Sequence, residues 1–147
     1  MPSGSLTRLA VRAMDAVASA LLPASGKTAR AQTGQHGEEE AYFYLRQLGY
    51  TMVARNWRSA RRRGEIDLIG WEGEALCFIE VKTRTTRAVK PAEAAVDGAK
   101  QDELRGMARD YLRRMKALPA TRFDVVSVYF EARTAPEVTL FRNAFGS

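Results

Sequence analysis

From residue 34 onward the hydrophobic period of the chain switches between that of a helix and that of a strand, and the switches mark its elements. Over residues 38–48, Ala41, Leu45 and Leu48 recur at i, i+4 and i+7, the apolar stripe of one helix. Gly49 follows where a C-terminal cap is expected. Residues 51–57, 65–71 and 75–83 predict three strands, the last two joined by a tight turn at Glu72-Gly73. A loop holding Pro91 leads to a long helix over 92–116, then to a strand over 123–130 and a short one over 137–141. The order α-β-β-β-α-β defines a mixed α/β layer fold. Residues 1–33 read as a separate leader, with a short helix over 6–22 stopped by Pro23. Its apolar stretch is interrupted by Asp15 and covers only 16–22, too short to span a membrane and weak as a signal-peptide core. The expected organisation is a flexible or helical extension, 1–33, ahead of one folded domain, 34–147.

Several charged residues break this pattern on faces that should be buried. Extended backwards, the stripe of the first helix reaches Glu38, which either serves the helix dipole as a first-turn acid or faces inward. Glu39 and Glu40 point elsewhere and are expected to be solvated. On the hairpin, Glu65, Asp67 and Ile69 share one face of their strand, while Glu80 and Lys82 share a face with Leu76 and Phe78. With Glu72-Gly73 as the turn, Asp67 and Glu80 are diagonal neighbours; slipping the turn by two residues sets them directly opposite. Either register brings the two carboxylates together. Leu68, Ile69, Leu76, Phe78, Ile79 and Val81 make both faces of the hairpin apolar, as in a central strand pair. Close carboxylates in such surroundings require a cation, and Lys82 or a bound ion would serve. On the second helix, Lys100 takes the missing place in the series Val96, Leu104, Met107, Tyr111, and either snorkels outward or points at the acids.

Composition narrows the chemistry. At 147 residues the chain suits one core, burying roughly 70% of its unfolded surface. A single cysteine, Cys77, excludes an internal disulfide, and with one histidine, His36, it leaves no His/Cys metal site. A divalent metal must therefore be a hard ion held by carboxylates. Cys77 is expected as a small buried hydrophobe, and His36 as a surface residue. Net charge is +6, half of it within residues 1–33, so the domain itself is mildly basic and compatible with a polyanionic partner. Ser25-Gly26-Lys27-Thr28 echoes the end of a phosphate-binding loop, but Leu21 stands where its first glycine belongs and no strand precedes it.

Ile66-Asp67, twelve residues, then Glu80-Val81-Lys82 resembles the core motif of the PD-(D/E)XK nucleases, with Ile66 in place of the leading proline. The wider pattern is more specific. It comprises Gly34-x-x-Gly37-Glu38-x-x-Ala41, Leu48-Gly49-Tyr50, Arg55-Asn56-Trp57-Arg58, Gly64-Glu65-Ile66-Asp67-Leu68-Ile69, Glu80-Val81-Lys82-Thr83-Arg84, Arg122-Phe123-Asp124 and Asn143-Ala144-Phe145. Over residues 34–146 this is similar to the bacterial YraN family. That resemblance implies a restriction-endonuclease-like fold close in character to Holliday-junction resolvases. It also implies that Asp67 and Glu80, the Val81 carbonyl and Glu38 hold Mg²⁺ or Mn²⁺. Lys82 would orient the attacking water or offset phosphate charge, and Lys100 would neutralise the phosphate from the other side. Glu65, on the Asp67 face, is the reserve ligand.

Arg58, Arg61, Arg62, Arg63, Arg84 and Arg87 flank these residues and are candidates for phosphate contacts. Trp57 and Tyr50 would either stack on bases or pack in the core. The expected activity is metal-dependent endonucleolytic hydrolysis of DNA, branched DNA included, in the cytoplasm, with a homodimer implied by resemblance to resolvases and no membrane partner. A rival expectation is a nucleic-acid-binding or DNA-processing accessory protein on the same scaffold, indifferent to metal.

Overall fold

The computed structural model describes residues 26–85 and 96–147. The chain separates into two compact units, residues 1–36 and 37–147, and everything below concerns the second unless stated otherwise. The helix expected over 6–22 lies outside the described residues.

Helix α1 spans Gly26–Gln47, starting twelve residues ahead of the expected position 38. It ends one residue short of the expected Leu48, with the expected glycine cap in place. Gly49, at φ +98°, donates to the Arg46 carbonyl, and Tyr50 N–H reaches back to the Leu45 carbonyl at 3.0 Å. This pair of bonds closes the last turn, and the contact of Tyr50 with Leu45 seals it. The stripe is corrected at two points. Leu48 is exposed, lying past the helix end, whereas Glu39 and Glu40 are buried and neither is a free solvated charge. The buried face of α1 is wider than its apolar stripe, so hydrophobicity alone located only its centre.

Strands β1 (Thr51–Trp57), β2 (Ile66–Glu72), β3 (Ala75–Arg84), β4 (Ala120–Tyr129) and β5 (Glu137–Phe145) form one sheet in chain order. All neighbours are antiparallel except β3 and β4, which run parallel and are joined across helix α2 (Gly98–Leu112). The last strand is nine residues long rather than the five expected. Side chains alternate along β3 into two cores. Leu76 and Phe78 pack with Leu104 and Met107 of α2, while Cys77 and Ile79 pack with Ala41 and Leu45 of α1. Residues 76–81 of β3 are buried throughout, as a central strand covered on both faces must be.

The hairpin turn is Gly73-Glu74, since Glu72 pairs with Ala75. Gly73 has φ +58° and Glu74 has no positive φ, the arrangement of a turn with glycine at its first central position. The expected Glu72-Gly73 turn is thus displaced, and the alternative register holds: with Leu68 facing Ile79, the next pair outward is Asp67 and Glu80.

At the turn end of the sheet a polar network joins four elements. Asp124, fully buried on β4, accepts from Arg122 Nε at 2.7 Å, Tyr50 hydroxyl at 3.0 Å and Asn143 N–H at 3.0 Å. Arg122 also reaches Glu72 at 2.8 Å, and Arg142 binds the same carboxylate at 2.7 Å. Those guanidinium bonds hold the Glu72 carboxyl down at about 2. Tyr50 is therefore a buried strut, and its hydroxyl proton is held well above the usual range by burial and the Asp124 carboxylate.

Cys77 lies buried beneath this network. Burial, then the Asp124 charge, pushes its thiol up to about 11. Native protein should leave Cys77 unreactive toward a thiol-specific maleimide at neutral pH, with one equivalent consumed once denaturant is added. Stoichiometric labelling of the native state would contradict this burial.

Candidate metal centre

At the opposite end of the hairpin four acids approach one another. Asp67, at the start of β2, accepts a hydrogen bond from Val81 N–H at 2.8 Å, which aims its carboxylate across toward β3. Burial, and then the neighbouring Glu80, raise the Asp67 carboxyl to about 8; Val81 N–H opposes them, Glu38 adds to them, and Lys100 pulls the other way. Glu38 arrives from α1. The preceding Gly37 makes this possible: a Cβ there would collide with the Thr83 side chain of β3, so only glycine lets helix and strand come so close. Burial is also the main cause raising the Glu38 carboxyl above its ordinary value.

Asn56, near the end of β1, ties the acids together. Its side-chain amide donates to Glu38 Oε2 at 2.8 Å and to Glu65 Oε1 at 3.3 Å. Its φ of +47° puts it in the left-handed region, which asparagine tolerates better than most residues. Glu38, Glu65 and Asp67 each present an oxygen within 4.8 Å of the others. Among the described residues this is the one acidic group with metal-ligand spacing. Glu80 stands beside the trio. Its Oε1 lies 3.5 Å from Lys82 Nζ, and its Oε2 is buried without a hydrogen-bond partner among the described residues.

A hard divalent cation fits this donor set. All its candidate ligands are oxygens, at least two carboxyls are held above their ordinary range by burial and then by neighbouring acids, and a buried oxygen of Glu80 lacks a hydrogen-bond partner among the described residues. Lys100 contributes its charge, with Nζ 3.6 Å from Glu103 while attracting Asp67 from a distance. It is half-buried, on the site side of α2 rather than directed wholly into solvent.

Of the predicted residues, Glu38, Asp67, Glu80, Val81 and Lys82 are gathered together here. Glu65, placed in reserve, belongs to the closest trio, and strand alternation with Asp67 was its signal. Asn56 joins them although sequence pattern does not single it out, because a left-handed bridging amide has no periodic signature. The arginines divide. Arg58 pairs with Glu65 at 3.1 Å and Arg62 with Asp110 at 3.2 Å. Arg61 and Arg63 are exposed, Arg84 is half-buried, and Arg87 lies outside the described residues. Trp57 packs edge-to-face on Tyr111 at 5.3 Å, and His36 is exposed.

A central strand pair carrying acids at one end, in a mixed five-stranded sheet between two helices, defines a restriction-endonuclease-like α/β protein. The sequence comparisons agree on a narrower group. Residues 37–128 match the model of Uncharacterised protein family UPF0102, and the chain belongs to that family, the YraN family. A UPF0102 protein of Koribacter versatilis is 52% identical over 139 residues, covering 95% of this chain and 94% of its own. One from Solibacter usitatus is 49% identical over 113 residues, covering 76% and 84%. One from Mycolicibacterium vanbaalenii is 43% identical over 116 residues, covering 78% and 94%. No helix among the described residues is long and apolar enough to cross a membrane.

Proposed function

We propose that the protein is a metal-dependent endonuclease that hydrolyses phosphodiester bonds in DNA, branched or flapped DNA included, in the cytoplasm. The observation that carries this reading is the convergence of Glu38, Glu65 and Asp67 within 4.8 Å, beside a buried Glu80 whose second oxygen has no hydrogen-bond partner among the described residues. A binding module gains nothing from concentrating carboxylates where a phosphate must sit.

Glu38, Glu65, Asp67 and Glu80 would hold Mg²⁺ or Mn²⁺, with the Val81 carbonyl as a further oxygen. When bound, such an ion polarises a phosphoryl oxygen and lowers the pKa of a water. The chain's own groups do the rest. Val81 N–H fixes the Asp67 carboxylate, leaving its other oxygen for the ion. Asn56 holds Glu38 and Glu65 in register. Lys82, oriented by Glu80, presents an ammonium that positions the attacking water and offsets charge growing on the phosphate. Lys100 adds a second positive charge from α2.

The test compares wild type, Asp67→Asn and Lys82→Ala on linear, flapped and four-way DNA, with and without Mg²⁺ or Mn²⁺. Wild type should cleave at least one substrate only with metal. Each variant should lose at least about a hundredfold in rate, the scale of one oriented charge at a reacting phosphate. Equal cleavage by all three proteins would remove the assignment. Metal-indifferent DNA binding without cleavage under any condition would replace it with an accessory, binding-only role.

A further inference from the structure

Beside the acidic trio, the loop after β1 and the end of α2 enclose an open cleft of about 460 Å³. Trp57, Arg58, Arg61, Asp110, Arg113 and Arg114 line it. The loop is built rather than loose. Asp110, buried near the end of α2, accepts from Ser59 hydroxyl at 2.6 Å and Arg62 Nε at 3.2 Å, and Ser59 in turn accepts Arg61 N–H at 3.1 Å. One buried carboxylate thus folds the loop back on the helix and fans its guanidiniums around the opening. Arg114 lies over the Tyr111 ring at 5.8 Å, the ring that also supports Trp57 at 5.3 Å.

The charge is concentrated here. Residues 57–63 and 109–116 hold eight of the chain's 23 basic residues and one of its 17 acids. These two segments carry a net +7 and residues 1–33 a net +3, while the rest of the chain is net −4, so within the folded domain the positive charge lies in these two segments. Helix-end compensation needs one or two cations, not eight. Arg58 joins the cleft to the acidic trio by its 3.1 Å bond to Glu65, so the cleft adjoins the candidate metal centre.

We infer that this cleft binds an unpaired nucleic-acid strand next to the cleaved position, one base resting on Trp57 and its phosphates on Arg61, Arg113 and Arg114. The inference rests on the endonuclease reading for its substrate class and supplies a strand preference that reading lacks. A half-buried indole ringed by guanidiniums suits a base flanked by phosphates, because stacking works only on a splayed base. A fully paired duplex offers the same phosphates but no free base face.

The experiment uses full-length protein carrying Trp71→Phe, which leaves Trp57 as the single tryptophan, in EDTA so that no cleavage intervenes. Oligo-deoxythymidine should quench Trp57 fluorescence saturably, and a duplex of equal length should quench it far less. Arg113→Ala/Arg114→Ala, at two exposed side chains of which Arg113 also lies 3.9 Å from Asp110, should weaken strand binding about tenfold and flatten its salt dependence by about one to two phosphate contacts. Absence of quenching by single strands, or an unchanged affinity in the double variant, would overturn the inference. So would equal quenching by duplex, which would make the cleft a backbone contact only. The two readings fail separately. Metal-dependent cleavage without Trp57 quenching removes the cleft alone, and quenching without any cleavage removes the nuclease and leaves the cleft as a binding site.

Discussion

Metal-free Asp67→Asn is expected to be more stable than wild type at pH 8 while losing divalent-metal binding altogether. Both effects come from one crowded carboxyl. In the folded chain Asp67 holds its proton to about 8, against 3.8 when unperturbed, first because it is buried and then because Glu80 lies beside it. Between those values the native state binds a proton that the unfolded state has released. Stability of the metal-free protein therefore falls as pH rises from about 4 to about 8. Asparagine has no proton to lose and can still accept the Val81 N–H, so the variant keeps its local geometry without that decline. The gain at pH 8 should be about 2 kcal/mol, less than the full shift implies because crowded carboxylates relax apart.

With metal the order reverses. Ions bind only the deprotonated site, so wild-type affinity should climb about tenfold per pH unit below 8 and level off above it. Wild type then gains stability with metal concentration and Asp67→Asn does not. Denaturant titrations at pH 5 and 8, with and without Mn²⁺, check all of this. A wild-type stability that rises toward pH 8 without metal would mean that the acids do not crowd.

Asp124→Ala should be the most damaging single substitution in the sheet, at about 3–5 kcal/mol. The carboxylate is fully buried and accepts from Arg122, Tyr50 and Asn143 at 2.7–3.0 Å. Truncation takes the acceptor from the Tyr50 O–H and the Asn143 N–H, while Arg122 still donates to the Tyr50 oxygen at 2.8 Å and keeps Glu72 as its remaining acid partner. Asn143, held at φ +51°, loses the bond that ties β5 to β4 at the irregularity in their register. For a chain of this size the midpoint should drop by about 10 °C. Asp124→Asn keeps an acceptor but not the charge, so its loss should be intermediate. Because the network lies at the far end of β2 from Asp67, metal affinity of the folded variant should be unchanged at low temperature. An unaltered denaturant midpoint would show that the network is not a brace.

The motif residues that resembled the YraN family thus divide into two tasks. Gly37, Glu38, Asn56, Glu65, Asp67, Glu80 and Lys82 assemble the acidic centre, whereas Tyr50, Arg122, Asp124 and Asn143 hold the sheet. Read along the chain, Arg122-Phe123-Asp124 gave no sign which task was its own. Alternation puts Arg122 and Asp124 on one face, but their partners come from residues 50, 72 and 143, far away in sequence.

Hydrophobic period alone determined that residues 51–57 and 75–83 are strands, that β3 is buried on both faces, and that Asp67, Glu80 and Lys82 sit on surfaces where charge is costly. Local chemistry along the chain carries that information, because side-chain direction alternates with period two whatever the strand pairs with. Tertiary structure decided the rest. The hairpin register followed from where positive φ fell, at Gly73 in the first turn position, and that set Asp67 facing Glu80. Promotion of Glu65, the bridging Asn56, and the burial of Glu39 and Glu40 depend on which helix covers which sheet face, a long-range outcome that no window of neighbouring residues encodes.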